Sequence, residues 1–327
     1  MQPRKRYPTK KVGAALVLVL QGFLVASDAS IPVGPSTPQA TPPGVIVWSS
    51  AELAQRDAAL GGAIGPDGSG RETLADYVMP SGSHRFRHIR RQTDRRPEQH
   101  DAIEDVVFLR SGRASILVGG RMLGRNGDLG IAIEGGERYS VGPGDVLRIP
   151  AGTPHAYEPA AGEHVTYVLV RLPAFVGRAV TNPDGEAPRL EPPGFALWRA
   201  SELDGRDATL ATRVGSDGSA RETLADYGPG GASHRFRFIR RERNGWPEVH
   251  PDIIDVVFVQ SGSGAVLVGG EMIGQSNQPG SEIRGGTRHP VAAGDLIHIP
   301  AGVPHAYLVG DLGHITYVLV RVPLTRE

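Results

Sequence analysis

The stretch IPAGTPHAY occupies Ile149–Tyr157, and IPAGVPHAY occupies Ile299–Tyr307. The two stretches differ at a single position and lie 150 residues apart. Around them, residues 48–173 align with residues 198–323 at the same offset without a gap, and 66 of the 126 aligned positions are identical. A repeat of this length is too long for a solenoid unit, so it indicates a duplicated domain. We call residues 48–173 the first copy and residues 198–323 the second copy.

Each copy combines one short helix with a series of short strands. In the first copy, Ser49–Leu60 begins with Ser-x-x-Glu, a pattern that caps a helix at its N-terminus. The segments that follow are rich in β-branched residues and are bounded by Gly or Pro, which predicts strands. These segments are 83–91, 105–110, 114–120, 146–150 and 164–172. Strands of such regular spacing predict an all-β fold, either a sandwich or a barrel.

The first 29 residues differ in composition from the rest of the chain. Five basic residues precede the apolar run Val12–Ala26, and small residues follow it, as in a secretory signal peptide. The run has 15 residues, fewer than the roughly 20 that a membrane-spanning helix needs. We therefore expect residues 1–29 to direct export to the periplasm or the extracellular space, with an uncleaved membrane anchor as the alternative.

The remainder of the chain divides by composition into four parts. They are a Pro-rich leader at 30–47, a first domain at 48–173, a linker at 174–197 and a second domain at 198–327. Without residues 1–29, which carry five basic side chains and Asp28, 30 basic side chains stand against 34 acidic ones. This balance predicts no nucleic-acid partner, and membrane contact only through an uncleaved signal segment. The chain has no cysteine, which excludes thiolate metal sites and cysteine nucleophiles.

Two blocks of each copy carry the residue types of a metal site. The first copy has PEQHDAIEDVVFLRSG at Pro97–Gly112 and GDVLRIPAGTPHAY at Gly144–Tyr157. The second copy has PEVHPDIIDVVFVQSG at Pro247–Gly262 and GDLIHIPAGVPHAY at Gly294–Tyr307. Residues two apart on a strand share a face, so the Glu and the His of each Glu-x-His can both point into a barrel. The Pro-x-Gly turn can return the last histidine to the same interior.

These blocks resemble the two motifs of the cupin superfamily. The family's second motif is Gly, five residues, Pro-x-Gly, two residues and His, and both copies contain it in full. Its first motif is His-x-His, three or four residues, Glu, six residues and Gly. Here the first His is replaced by Glu and the Glu by Asp in both copies. The resemblance covers both copies and implies two tandem jelly-roll β-barrels, each preceded by a short helix, as in secreted two-domain cupins of undefined function.

The resemblance also implies a divalent metal ion inside one or both barrels. The expected ligands are Glu98, His100, Asp105 and His155 in the first copy, and Glu248, His250, Asp255 and His305 in the second. Imidazole and carboxylate ligands without sulfur favour Mn or Fe(II), and Zn or Ni also suit them. The alternative is that these side chains only hydrogen-bond one another or water. Tyr157 and Tyr307 lie two residues beyond the motif histidines and are expected to line the pocket.

Other repeated polar residues are predicted to have structural roles. His84, His234, His164 and His314 are expected to be packed, hydrogen-bonded residues of the core or rim, and His88, which aligns with Phe238, is expected at a packing position. The twin arginines after SHRFR, Arg90-Arg91 and Arg240-Arg241, and also Arg138 and Arg288, are expected on a solvated surface.

Three kinds of function remain open from the sequence. The resemblance implies a metal-dependent dioxygenase, decarboxylase or isomerase that acts on a small molecule. The alternatives are a barrel that binds a small molecule or a sugar without turnover, and a scaffold or storage-like protein. No catalytic residue can be named, because the sequence contains no Walker loop, Rossmann fingerprint or Gly-x-Ser-x-Gly. Oligomeric state is also open, with a homo-oligomer as one alternative, since paired barrels can bury their sheet edges.

Overall fold

The helices and strands of the first copy follow the predicted pattern. This computed structural model describes residues 43–77, 84–93, 96–174, 194–227, 234–310 and 313–324. The elements of the first copy are β1 (Ile46–Trp48), α1 (Ser50–Gly61), β2 (Ser69–Tyr77), β3 (His84–Arg91), β4 (Ile103–Gly112), β5 (Ala114–Val118), β6 (Arg121–Leu123), β7 (Ala132–Glu134), β8 (Glu137–Val141), β9 (Val146–Ile149), β10 (His155–Pro159) and β11 (Val165–Pro173).

The second copy repeats this order, with one long strand in place of β4 and β5. Its elements are β12 (Ala196–Trp198), α2 (Ala200–Ala211), β13 (Ser219–Asp226), β14 (Arg235–Arg241), β15 (Ile253–Val268), β16 (Glu271–Ile273), β17 (Glu282–Arg284), β18 (Thr287–Ala292), β19 (Leu296–Ile299), β20 (His305–Leu308) and β21 (Ile315–Pro323). All described residues belong to one compact unit, Pro38–Glu327.

The predicted signal peptide and most of the predicted leader and linker lie outside the described residues. Within the described ranges, no helix has the length and apolar character that a membrane span requires. The predicted domain boundaries at residues 48 and 198 coincide with the last residues of β1 and β12.

Two antiparallel sheets form a jelly-roll barrel in each copy. In the first copy the strand orders are β12-β9-β4-β11-β3-β2 and β10-β5-β8. In the second copy the large sheet has the order β1-β19-β15-β21-β14-β13, and the far half of β15 pairs with β18 and β20. The core of the first barrel joins Val107 and Leu147 of the large sheet to Ile116 and Tyr157 of the small one. The predicted all-β fold of two barrels, each with one short helix, is confirmed.

The two barrels exchange their leading strands. Strand β1 precedes the first copy but pairs with β19 of the second, and β12 precedes the second copy but pairs with β9 of the first. Val45 and Val47 thereby enter the core of the second barrel, and Phe195 and Leu197 enter the core of the first. Each barrel is therefore completed by a strand from the chain segment that leads into the other copy.

The helix caps are also exchanged between the copies. The predicted cap of α1 is present, because the amide of Glu52 donates to Ser49 Oγ at 3.1 Å. In addition, the amide of Ser50 donates to Asp295 Oδ1 at 2.6 Å, and the amide of Ala200 donates to Asp145 Oδ1 at 2.8 Å. Asp145 and Asp295 follow the first Gly of the second motif, so this motif caps the helix of the opposite copy.

A shared apolar layer joins the outer faces of the two large sheets. Phe108 stacks on its equivalent Phe258 with ring centroids 4.8 Å apart, and Trp48 lies 5.1 Å from Phe86. These side chains belong to one buried cluster that draws on both copies. Because burying an aromatic side chain stabilises a protein by about 2 kcal/mol or more, this layer contributes strongly to the association of the barrels.

His84 and His234 lie at two junctions between the barrels, both buried as predicted. At the first junction, Nε2 of His84 is 3.0 Å from Nε2 of His298, and burial lowers the pKa of these two histidines to about 4 and about 3. At the second junction, His234 contacts the Glu104 carboxylate, to which Arg148 Nε donates at 3.1 Å. One junction is therefore neutral and the other is ion-paired.

His88 is a buried histidine whose ring nitrogens have no hydrogen-bond partner among the described residues. It lies on the outer face of β3, where the second copy has Phe238, and it is fully buried. The prediction that this is a packing position is confirmed. Leaving a buried polar group without a partner costs about 1–3 kcal/mol.

We predict that His88→Phe raises the free energy of unfolding at pH 7 by about 1–3 kcal/mol, because it removes two unpartnered nitrogens. Urea denaturation measures the change. The mirror substitution Phe238→His is the matched control and should destabilise the protein by a similar amount. Destabilisation by His88→Phe would show that the ring nitrogens have partners.

We also predict that His88→Phe reduces acid sensitivity. Burial lowers the pKa of His88 to about 4 in the folded protein, against about 6.5 in the unfolded chain. The unfolded chain therefore takes up a proton first as the pH falls below 6.5, and stability declines by about 1.4 kcal/mol per pH unit for this group. The advantage of His88→Phe over the wild type should grow between pH 6.5 and 4.5; a constant difference would contradict this account.

Candidate metal centre

The backbone places Glu98 directly opposite His155. The amide of Glu98 donates to the carbonyl of His155 at 2.8 Å, and the amide of His155 donates to the carbonyl of Glu98 at 2.9 Å. The amide of Gly152, in the Pro-x-Gly turn, donates to the carbonyl of His100 at 2.7 Å. Gly152 has a φ of +76°, which a residue with a side chain adopts only with strain. This turn thus fixes the last histidine beside Glu98 and His100.

Glu98 and His100 lie outside the named strands. The sequence analysis placed them two apart on one strand, whereas the structure shows only an isolated bridge between Glu98 and His155 before β4 begins. The two side chains nevertheless converge, because the bridge to His155 replaces the regular ladder. Their shared direction therefore comes from the turn and not from strand alternation.

Four predicted ligands converge inside the first barrel. One ligand atom from each of Glu98, His100 and His155 lies within 4.8 Å of the other two. Asp105 on β4 reaches the same point, with Oδ2 at 3.7 Å from His100 Nε2 and 3.6 Å from His155 Nε2. The shorter Asp side chain, which replaces the Glu of the cupin motif, is thus long enough to approach the cluster.

The second barrel repeats the cluster. Glu248, His250 and His305 form the equivalent group within 4.8 Å. Asp255 Oδ2 lies 3.8 Å from His250 Nε2 and 3.4 Å from His305 Nε2. Burial opposes charge on His305, but hydrogen bonding to Asp255 and the charge of Asp255 outweigh burial and raise the pKa of His305. All eight predicted ligands therefore lie in two matching clusters; their role as ligands stays a prediction.

The histidine rings present Nε2 to the centre of each cluster. Nδ1 of His155 lies 3.1 Å from the carbonyl of Thr153, and Nδ1 of His305 lies 3.0 Å from the carbonyl of Val303. A carbonyl only accepts, so Nδ1 carries the proton and Nε2 keeps its lone pair. His100 also offers a bare Nε2, since it accepts from a guanidinium.

Two arginines surround Glu98, and the sequence analysis did not assign them to the site. Arg91 contacts Glu98 Oε1 and donates from Nε to the hydroxyl of Tyr167 at 2.7 Å. Nη2 of Arg171 lies 3.4 Å from Glu98 Oε2 and donates to His100 Nε2 at 2.8 Å. In the second barrel, Arg241, Arg321 and Tyr317 occupy the equivalent positions.

The expectation of solvated twin arginines was wrong for the second arginine of each pair. Arg91 and Arg241 are each only 4% exposed, because odd positions of β3 and their equivalents face the barrel. Arg90 and Arg240 lie on the opposite face and pair with Asp57 and Asp207 of the helices. The expectation holds for Arg138, which is exposed and pairs with Glu158. Alternation along β3 was the signal that could have separated the twins.

Charge and burial shift the acid groups of the first cluster in opposite directions. Burial alone would raise the pKa of Glu98, but its hydrogen bond with His100 and the charge of Arg91 hold that pKa well below its usual range. Burial raises the pKa of Asp105, whose Oδ1 has no hydrogen-bond partner among the described residues. Burial also lowers the pKa of His155, which favours the neutral ring that metal binding requires.

Tyr157 and Tyr307 line the barrel interiors beside the motif histidines. The Tyr157 ring meets His155 edge-on, with centroids 6.4 Å apart, and stacks on Tyr167 at 4.7 Å. The hydroxyl of Tyr307 is buried and has no hydrogen-bond partner among the described residues. Both tyrosines therefore lie where the pocket prediction placed them, although whether they contact a ligand stays a prediction.

The donor set fits a divalent cation. Ligand atoms bound at about 2.1 Å to one ion lie about 3–4.2 Å apart, and the contacts of Asp105 with His100 and His155 fall in that range. Two bare imidazole nitrogens and two carboxylates, with no sulfur, are ligands for Mn, Fe(II), Zn or Ni. The buried, unpartnered Oδ1 of Asp105 is an orphaned acceptor that a cation would satisfy.

Solved structures of the same architecture cover nearly the whole chain. Salicylate 1,2-dioxygenase from Pseudaminobacter salicylatoxidans superimposes with a TM-score of 0.56 at 15% identity, over 89% of this chain and 86% of that chain. A protein from Pseudomonas aeruginosa described as glyoxylate induced gives 0.52 at 14% identity, over 90% of this chain and 94% of that chain. The chain has the cupin fold.

Sequence comparison reaches less of the cupin fold than structure comparison does. The family model of the AraC-like ligand binding domain matches residues 131–197, which include the second motif of the first copy. No curated protein matches the sequence. At these identities the solved structures establish the fold, and the function has to be argued from the site.

We predict that Arg91→Met lowers the free energy of unfolding by about 3 kcal/mol, because it leaves the buried Glu98 carboxylate with one guanidinium fewer. Adding Glu98→Gln should restore part of the loss. Urea denaturation of both single variants and the double variant measures a coupling free energy, expected to be at least about 1 kcal/mol. Additive effects would contradict the proposed pairing.

Proposed function

We propose that the protein is an exported, metal-dependent two-barrel cupin that acts on a small molecule. The observation that carries the proposal is the pair of matching clusters, each with bare imidazole nitrogens and a carboxylate within 4.8 Å. In the first barrel the ligands would be Glu98, His100, Asp105 and His155. In the second barrel they would be Glu248, His250, Asp255 and His305.

A bound divalent ion would supply Lewis-acid chemistry, or redox chemistry if it is Fe(II) or Mn. The residues around it would define the rest of the reaction site. Tyr157 and Tyr167 form an apolar wall that excludes water, and Arg91 keeps Glu98 ionised. Two carboxylates beside two imidazoles favour Mn or Fe(II) over Cu. Oxygenase and decarboxylase reactions are the first to test, because salicylate 1,2-dioxygenase shares the fold.

The two barrels differ at one contact of the proposed ligands. Nδ1 of His100 lies 3.0 Å from Asp128 Oδ2, whereas Gln278 stands at the equivalent position of the second copy. A carboxylate behind a ligating imidazole orients the ring and increases its basicity. The His100 side chain is also 4% exposed against 17% for His250. The first barrel is therefore the stronger candidate for the tighter metal site.

A non-catalytic binding barrel is the second candidate function. The guanidinium of Arg171 is itself a cation at the cluster, where it contacts Glu98 and takes the lone pair of His100. Arg321 does the same to Glu248 and His250. If these guanidiniums neutralise the carboxylates permanently, the barrels need no metal and would hold a small molecule without turnover.

Metal analysis of protein purified without a chelating tag tests the proposal. We expect one to two equivalents of Mn or Fe per chain, and His155→Ala with His305→Ala should reduce the content at least tenfold, because two of the four donors of each barrel set include these rings. The matched control is His164→Ala with His314→Ala, since these histidines also recur in both copies but contact Ser111 and Ser261 outside the clusters.

The two outcomes separate the candidate functions. Loss of metal in the His155/His305 variant but not in the His164/His314 variant would support the metal centre. A wild-type protein that binds no added Mn(II) or Fe(II), while keeping its native stability, would rule out the metal centre and leave the binding barrel.

A further inference from the structure

One arginine in each barrel lacks a counter-charge. Arg87 lies on β3 between Arg85 and Ile89, on the face that lines the first barrel, and it is partly buried. Its side chain forms no ion pair or hydrogen bond with any described residue. Arg237 on β14 is its equivalent in the second barrel and also has no described partner. Both are surrounded by other arginines, so they carry positive charge into a cationic environment.

The neighbouring arginines of the same strands are all paired. Arg85 donates from Nε to Asp76 at 2.9 Å, and Arg235 donates to Asp226 at 2.7 Å. Arg90 and Arg91 pair with Asp57 and Glu98, and Arg240 and Arg241 repeat these contacts. An unpaired guanidinium at the same position in both copies is thus an exception to the pattern of its own strand.

Burial and like charge make this arrangement unfavourable without a ligand. Burial lowers the pKa of Arg87, and the nearby Arg171 lowers it further. The same causes lower the pKa of Arg237 to about 10. In each barrel three guanidiniums then face two carboxylates: Arg87, Arg91 and Arg171 face Glu98 and Asp105. A divalent ion on the proposed ligands would add two further positive charges.

Unused hydrogen-bond donors lie beside the unpaired arginines. Nε of Arg171 and Nε of Arg321 are buried and have no hydrogen-bond partner among the described residues. A cavity of about 340 Å³ borders Arg171 and Arg85, which is enough space for a small organic molecule. The excess charge, the free donors and the space therefore coincide in the first barrel.

We propose that each barrel binds a small organic carboxylate, held by Arg87 and Arg171 in the first barrel and by Arg237 and Arg321 in the second. The planar fork of a guanidinium matches a carboxylate, and two such groups hold it in one orientation. The carboxylate would supply the missing negative charge beside the ligand cluster. This inference deepens the proposed function by naming the substrate class, and it rests on that function only for the added charge of the metal.

Calorimetric titration tests the proposal with benzoate and succinate as carboxylate probes, benzamide as the neutral analogue of benzoate, and inorganic phosphate as a different oxyanion. The protein is the full chain loaded with Mn(II). The test variant is Arg87→Gln with Arg237→Gln. The matched control is Arg85→Gln with Arg235→Gln, which removes arginines of the same strands that are already paired.

The wild type should bind a carboxylate probe and not benzamide. The Arg87/Arg237 variant should bind that probe roughly tenfold to hundredfold more weakly, since charge-assisted hydrogen bonds are lost. The control should change binding less than threefold. Metal content of the test variant should equal that of the wild type, and its resistance to urea should be equal or greater, because it loses charge repulsion.

Three results would overturn the proposal: no binding of either carboxylate, equal weakening in both variants, or tighter binding of phosphate than of benzoate and succinate. The metal centre is judged separately by the metal-free variant His155→Ala with His305→Ala. Carboxylate binding that survives in this variant supports the arginine site even if the wild type holds no metal. Metal binding without carboxylate binding refutes the arginine site alone.

Discussion

Charge neutralisation inside the barrels is the constraint on which the site depends. Glu98 and Asp105 are carboxylates enclosed by apolar side chains, and an isolated buried charge costs several kcal/mol. Arg91 therefore contacts Glu98 from inside the barrel, and Arg171 contacts it from the direction of His100. The same arrangement recurs in the second barrel. The tyrosines that stack beside the histidines keep water away, which makes these contacts stronger and their loss more costly.

The exchange of strands between the copies gives the site its rigid frame. Strand β9 leads into the Pro-x-Gly turn before His155, and its free edge is covered by β12 from the other half of the chain. Asp145, immediately before β9, caps α2, so the strand is anchored at both of its borders. The second copy uses β1 and Asp295 in the same way. Each cluster is therefore held in position by residues that lie about 150 positions away or more.

The sequence predicted those parts of the fold that depend on local patterns. The capped helix, the strands from β3 to β11 and the turn that carries His155 each follow from a short run of residues. The exchange of β1 and β12 could not be predicted, because β9 and β19 have nearly the same sequence and offer the same apolar edge. The burial of Arg91 was also missed, since it depends on the carboxylate of Glu98, which approaches through space from a separate segment.

Anomalous diffraction from crystals grown with Mn(II) would test the central claim, that each barrel gathers its donors around one cation. We expect one peak per loaded barrel, within about 2.3 Å of Nε2 of His100 and His155 and of the Glu98 carboxylate. The guanidinium of Arg171 should have moved away from His100 Nε2, where it now lies at 2.8 Å. A map without peaks in either barrel, with Arg171 still bonded to His100, would contradict the account.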